Sequence, residues 1–310
     1  MGKKDFKELR DVNLAAIDVG SNASRLLIKT VSRSIDGRLR QRKALFLRVP
    51  LRLGMEVFKK GKIDADKEDE FLRTMKAYKQ LMKVFHVRDY RACCTSAMRD
   101  ARNGKDILNN IIEETGLKLR IISGDEESRI VYDSHLSFML DDKNYMYVDV
   151  GGGSTEVSFI SKGQLIMSHS YNIGTVRMLN EAVKAEELDR MREELSEITR
   201  GYEDISIIGS GGNINKLYRI ANKVGNKTGH LPVETLRRLH DKLDKMSLEE
   251  RMDVYNMKPD RADVIVPAAE IFLLVAQTIG ATTIRVPNLG LADGLINDLV
   301  KHLFADGKDN

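Results

Sequence analysis

Asp18-Val19-Gly20-Ser21-Asn22 and Asp149-Val150-Gly151-Gly152-Gly153 stand almost half a chain apart, and both sit in the same local pattern. An apolar run enters a glycine-bearing turn and a second apolar run leaves it. Leu14 to Ile17 and Leu26 to Ile28 flank the first turn; Tyr147-Val148 and Val157 to Ile160 flank the second. Asp36-Gly37 and Lys162-Gly163 mark the next turns, so each half opens as a strand, a glycine turn and a second strand. Solenoid repeats recur every ~20–50 residues, so this long period is of another kind. It predicts two similar domains facing each other, which suits 310 residues at ~100–200 per domain.

Helical patterns lie between the hairpins. Phe71, Met75, Tyr78, Met82 and Phe85 fall on one face, as do Leu188, Met191, Leu195, Ile198 and Tyr202. Ser247 and Glu250 have capping-box spacing and predict a helix start. Thr283 to Val286 reads as a strand, Leu291 to Phe304 as a closing helix and Asp306 to Asn310 as a frayed tail. Strands alternating with helices make the chain α/β. The methionine-rich stripes read as core-facing sides of helices.

Composition narrows the function classes. With 42% hydrophobic and 31% charged residues, the chain is that of an ordinary globular protein. The two cysteines, Cys93 and Cys94, are adjacent and close a disulfide only with strain, which points to a reducing compartment and excludes a cysteine-ligated zinc site. The N-terminus has no secretory pattern, and the apolar run from Ile271 to Ala276 is short for a bilayer. The expectation is a cytoplasmic protein without a membrane partner. A net charge of +4 is too small to argue for nucleic acid, which is not expected as a partner.

Three loops share one character: Gly20-Ser21-Asn22-Ala23-Ser24, Gly151-Gly152-Gly153-Ser154-Thr155 and Gly209-Ser210-Gly211-Gly212-Asn213. Glycine lets a backbone approach a ligand, and successive N–H groups in such turns bind anions. The third loop also opens a helix, whose N-terminus favours an anion. A tight hairpin explains any one of these loops alone. Three of them, two related by the repeat, argue for phosphate. None has the Walker or dinucleotide spacing.

Carboxylates flank these loops. Asp18 and Asp149 end apolar strands, and Glu156 follows Ser154-Thr155. Such acids repel phosphate unless a cation such as Mg²⁺ bridges them, although an Asp can also hydrogen-bond its own turn. Asp125, Glu126 and Glu127 open a helix, where acids are common for dipole reasons, and residue physics does not choose between Glu126 and Glu127. Arg99 reads either as a phosphate clamp or as a surface charge. A basic stretch from Arg38 through Arg40, Arg42, Lys43 and Arg48 to Arg52 is either a polyanion track or a charged edge strand. His240-Asp241 reads as an exposed helix pair.

The quoted segments, in order over nearly the whole chain, resemble the exopolyphosphatase / guanosine pentaphosphate phosphatase family of the actin-like ATPase superfamily. Ala16 to Asn22, Arg52-Leu53-Gly54, Thr95 to Arg99, Ser123 to Arg129, Asp149 to Glu156, Arg261 to Ile265 and Gly290 to Leu295 carry the likeness. Ala23 stands where the family usually has Ser, and Asn213 where it usually has Thr. The resemblance implies two actin-like (ribonuclease H-like) domains with a cleft between them. Domain I would cover 1–132 and domain II 133–290, with the helix of about 291–310 returning to domain I. It implies Mg²⁺-dependent hydrolysis of the terminal phosphoanhydride of inorganic polyphosphate, releasing orthophosphate.

In that scheme Glu127 is the base, with Arg99 and Glu156 also catalytic. Gly20, Ser21, Asn22, Ser24, Arg25, Gly152, Gly153, Ser154, Thr155, Gly211, Gly212 and Asn213 bind the substrate. Asp149, Glu156 and Asp18 hold Mg²⁺. A homodimer is a family-level expectation. Guanosine pentaphosphate is the rival substrate, a low-turnover nucleotide-binding regulator the rival from another class, and a sugar kinase of the same superfamily a more distant one.

Overall fold

The computed structural model describes residues 11–34, 37–135, 143–222, 229–287 and 290–305. The first half runs β1 (Val12–Val19), β2 (Ser24–Arg33), β3 (Leu39–Val49), α1 (Leu53–Lys60), α2 (Ala65–Val84), β4 (Val87–Cys94), α3 (Ser96–Asp100), α4 (Gly104–Thr115), β5 (Leu119–Ile121) and α5 (Gly124–His135). The second half begins with β6 (Asn144–Val150), β7 (Thr155–Ser161), β8 (Gln164–Tyr171), α6 (Thr175–Leu179), α7 (Ala185–Ile198), β9 (Ser206–Ser210) and α8 (Gly212–Ala221). It continues with β10 (His230–Pro232), α9 (Val233–Asp244), α10 (Leu248–Tyr255), α11 (Pro259–Ala262), α12 (Ile265–Ile279), β11 (Thr283–Arg285) and α13 (Leu291–Ala305).

The sequence repeat is a repeat of topology. One sheet has the order β3-β2-β1-β4-β5, the other β10-β11-β9-β6-β7-β8. In each, three antiparallel strands from consecutive hairpins are extended by two parallel strands beyond the first, and in the second sheet β10 adds an antiparallel edge. The two glycine turns match as well. Gly20 N–H donates to the Ala23 carbonyl and Gly151 N–H to the Ser154 carbonyl, both at 3.0 Å.

Helices cover the sheets as the periodicity predicts. Phe71, Met75, Tyr78 and Met82 are buried along α2, and Met191 and Leu195 along α7. Tyr202 lies beyond the end of α7 and meets Phe159 edge-on at 4.9 Å. The capping box opens α10: Ser247 N–H donates to Glu250 Oε2, and Glu250 N–H to Ser247 Oγ. Among the described residues, Pro259–Ile279 alone has the length and mean hydropathy, 1.7, of a bilayer-crossing helix, and 61% of its most apolar window is buried in the protein. This stretch is longer than Ile271 to Ala276, the run seen in the sequence. It is the central helical layer of the second core, with Phe272 and Val275 inaccessible. Cys93 and Cys94 are free and buried.

A third core lies between the sheets. Leu14 and Leu27 from one, Tyr145, Tyr147 and Ile208 from the other, and Leu295, Ile296 and Leu299 of α13 pack together. α13 lies on β1, β2 and β4, and it crosses α5 closely. A Cβ at Gly294 would come within 2.6 Å of the Ile130 carbonyl oxygen, so this crossing requires glycine. The boundary expected at 132/133 falls inside α5, which also contacts β7 and β8.

Candidate active site

The three glycine loops meet at one cleft of about 400 Å³. Gly20, Ser21, Asn22 and Ala23 line it from the first hairpin, Gly151, Gly152 and Ser154 from the second, and Gly211, Gly212 and Asn213 from the start of α8. The first two loops abut: a Cβ at Gly153 would lie 2.4 Å from Ser96 Oγ and 2.7 Å from Ser21 Oγ. Ser21 Oγ in turn lies 2.8 Å from Ser96 Oγ and accepts from the Ala97 N–H at 3.1 Å. The turn is thereby braced against α3.

Three expected binding residues stand behind this wall. Gly153 packs on Ser96, and Thr155 Oγ1 donates to the Ile173 carbonyl at 2.5 Å. Ser24 is buried against Tyr78. The reason is strand alternation: Arg25, next to Ser24, faces the cleft, so Ser24 faces the core.

Four carboxylates gather at the base of the cleft. Asp18 is ion-paired with Arg25 at 2.5 Å. Asp149 accepts from Ser210 Oγ at 3.2 Å, and burial raises its pKa to about 6. Glu156 accepts from Ser170 Oγ at 2.9 Å, and burial, with Asp149 nearby, raises it to about 7. Burial and the neighbouring Glu156 hold Glu127 well above the ordinary carboxylate range. Glu127 Oε2 has no hydrogen-bond partner among the described residues. Its neighbour Glu126 points elsewhere and pairs with Arg120.

Arg99 is placed differently from its expected role as a direct phosphate contact. The short α3 aims its guanidinium at the Ile122 carbonyl, 2.8 Å away, and at Glu127, 3.8 Å away. It is absent from the cleft lining and supports Glu127 from behind.

The cleft is also cationic. Arg25, Lys43, Arg48, Arg219 and Arg261 line it. Arg48 pairs with Asp260 at 2.5 Å, and Arg261 donates to Asn213 Oδ1 at 2.7 Å. Burial, with Arg48 and Arg25 close by, lowers Arg261 to about 10. The side chain at position 213 thus orients an arginine. Sequence reasoning did not put Arg219 or Arg261 in the site, because the fold brings them to the first hairpin from far along the chain. It flagged Arg48 only as part of a basic run. That run divides. A bulge between Lys43 and Leu45 puts Lys43, Phe46 and Arg48 on the cleft side, while Arg40 and Arg42 pair with Ser32 and Thr30 on the other face.

Among the described residues no group of three or more His, Cys, Asp or Glu side chains is placed to hold a metal ion. Magnesium needs less protein than that: one or two carboxylates plus phosphate oxygens and water suffice. Asp149 and Glu156 have the right chemistry, being buried acids with no cationic partner at ion-pair distance among the described residues. Asp18, also expected as a ligand, is engaged by Arg25.

Comparison with known proteins agrees with this architecture. The model of the Ppx/GppA phosphatase family matches residues 44–303. A bifunctional 3-dehydroquinate synthase/phosphatase of Fusobacterium nucleatum is 26% identical over 81% of this chain, which spans 41% of that longer protein. Exopolyphosphatase 1 of Mycobacterium bovis is 25% identical over 92% of this chain and 87% of its own length. The crystal structure of the Aquifex aeolicus Ppx/GppA family member superposes with a TM-score of 0.74 at 27% identity, covering 95% of this chain and 99% of that one. The fold is thus shared with that family member, and the chain belongs to the Ppx/GppA phosphatase family.

Proposed function

We propose that the protein hydrolyses the terminal phosphoanhydride of inorganic polyphosphate and releases orthophosphate. One observation carries this: a single cleft brings together three glycine loops, four buried carboxylates and five cationic side chains. The exopolyphosphatase relatives support the same class of chemistry. A phosphate chain fits such a polarity, with its end on the loops and its remaining charges toward the arginines.

In this reading Glu127 takes the proton of the attacking water. Burial raises its pKa and so its basicity, and its unpartnered Oε2 leaves an acceptor open for that water. Arg99 orients it. Loop N–H groups of Ser21, Asn22, Gly152 and Ser154 offset charge on the transferred phosphoryl group. Asp149 and Glu156 would hold Mg²⁺, which when bound supplies charge neutralisation for the phosphate oxygens. Arg25 and Arg261 hold the substrate's non-reacting phosphates. Buried free thiols at Cys93 and Cys94 suit a reducing cytoplasm.

Phosphate release from long polyphosphate, tripolyphosphate and guanosine pentaphosphate, measured side by side with Mg²⁺, tests the reading. Turnover of polyphosphate is expected. No release from any of the three would overturn it in favour of a nucleotide-binding regulator.

A further inference from the structure

The second glycine loop is held from behind by α6. Thr175 N–H donates to the Gly151 carbonyl at 3.0 Å, and the N–H groups of Val176 and Arg177 donate to the Gly152 carbonyl at 2.7 and 3.0 Å. Arg177 Nε donates to the Gly153 carbonyl at 2.8 Å. Three successive carbonyls are thus turned toward α6. The contact is close: a Cβ at Gly174 would come within 2.5 Å of the Gly153 backbone.

A trans peptide sets its carbonyl and the following N–H on opposite sides of one plane. Among the described residues there is no cis bond. Fixing the Gly153 carbonyl therefore fixes the Ser154 N–H and aims it away from Arg177. Ser154 lines the cleft, whereas Gly153 and Arg177 do not. A hydrogen bond from a charged donor is stronger than a neutral one, and it polarises the peptide that accepts it. The Ser154 N–H becomes a better donor as a result.

The guanidinium is itself held in place. Arg177 pairs with Asp100 at 2.5 Å, and its Cζ lies 4.1 Å from the centroid of the Phe58 ring. These two contacts tie α6 to the first domain and would explain a half-hidden arginine as a purely structural link. Neither accounts for the third contact, from Nε to the carbonyl of a phosphate loop.

We propose that Arg177 is a positioning residue, which orients and polarises the Gly153–Ser154 peptide so that the Ser154 N–H meets the phosphoryl group. This rests on the phosphate reading of the loops given above.

Two variants separate this role from the domain tie. Lysine carries a methylene where arginine carries Nε, so Arg177→Lys keeps the charge for Asp100 and loses the donor to Gly153. Asp100→Asn does the reverse. With tripolyphosphate and Mg²⁺, Arg177→Lys should lower kcat ~10- to 100-fold, part of the ~10²–10³-fold that loss of a whole such donor costs, and leave KM within ~3-fold. Asp100→Asn should stay within ~3-fold in both constants. Melting curves on both variants accompany the kinetics. A wild-type kcat in Arg177→Lys, or an equal loss in Asp100→Asn, would overturn the proposal in favour of the structural link. The second readout is the Ser154 amide signal in NMR spectra of the ¹⁵N-labelled protein, titrated with imidodiphosphate and Mg²⁺. It should move downfield in the wild type and in Asp100→Asn, and by less than half as much in Arg177→Lys. An unmoved Ser154 signal in the wild type would also overturn the proposal. A wild type that shows the full NMR pattern yet releases no phosphate from any substrate would refute the hydrolase reading and leave the positioning role standing.

Discussion

Glu126 and Glu127 are adjacent acids at one helix start, and successive residues on a helix point about 100° apart. That rotation separates their roles: Glu127 faces the carboxylate cluster, while Glu126 reaches Arg120 outside it. Glu127→Gln should lower kcat ~10²–10⁴-fold, the usual contribution of a general base, whereas Glu126→Gln should keep most of the wild-type rate. Steady-state phosphate release and a melting curve on both variants check this. Equal behaviour of the two would remove Glu127 as the base. The neighbouring acids give a second expectation. Asp149 and Glu156 titrate at about 6 and about 7 in the fold, above their ordinary values of 3.8 and 4.5. The folded state then binds more protons than the unfolded one across that window, so stability falls as pH rises from about 4 to about 7. Each acid contributes on the order of 3 kcal/mol to that loss. If the two hold Mg²⁺, adding the ion should raise the melting temperature more at pH 8 than at pH 5. A shift independent of pH would place the ion elsewhere. The sequence alone showed that acids cluster here; the choice of Glu127 came from family resemblance, because which way a side chain points depends on packing.

At the level of elements, the hairpins β1–β2 and β6–β7 were legible because strand alternation and glycine turns are local signals. The bulge in β3 was not. One extra residue at Ala44 resets which side chains face the cleft, and no turn residue or proline announces it. Reversal of Lys43 to Glu should therefore raise KM for long polyphosphate several-fold, while the double variant Arg40→Glu, Arg42→Glu should stay within ~2-fold. The Lys43 effect should shrink at high salt, where exposed charges are screened within a few ångströms. Kinetics of the two variants at low and high ionic strength decide the point. A larger effect from the double variant would mean that the polyanion runs over the outer face.

The whole molecule depends on contacts distant in sequence. Arg48–Asp260 and Arg52–Asp263, both at 2.5 Å, tie the first hairpin region to α11 across the cleft. Neither pair is visible in local sequence pattern, and nor is the meeting of Arg25 with Arg261. What the sequence did show at this scale was the repeat, since duplicated topology preserves its turn residues even where strands diverge. It also showed a closing helix. That helix, α13, buries Leu295, Ile296 and Leu299 between the sheets, and each such side chain is worth ~1.5–3 kcal/mol. Ending the chain after residue 290 should thus make the protein insoluble or molten rather than merely inactive. Circular dichroism and limited proteolysis of the truncated protein would show it; a sharp thermal transition would count against the shared core.

α13 also has a consequence in time. A ribosome delivers β1, β2 and β4 well before the helix that covers their inner face, which follows β11. Until α13 is made, Leu14, Leu27 and Val31 lack their full cover. The nascent chain must therefore carry a long-lived apolar surface, which makes it a natural client for chaperones that bind such surfaces during synthesis. The first half is expected to become native only once α13 is available, with the two halves becoming native together.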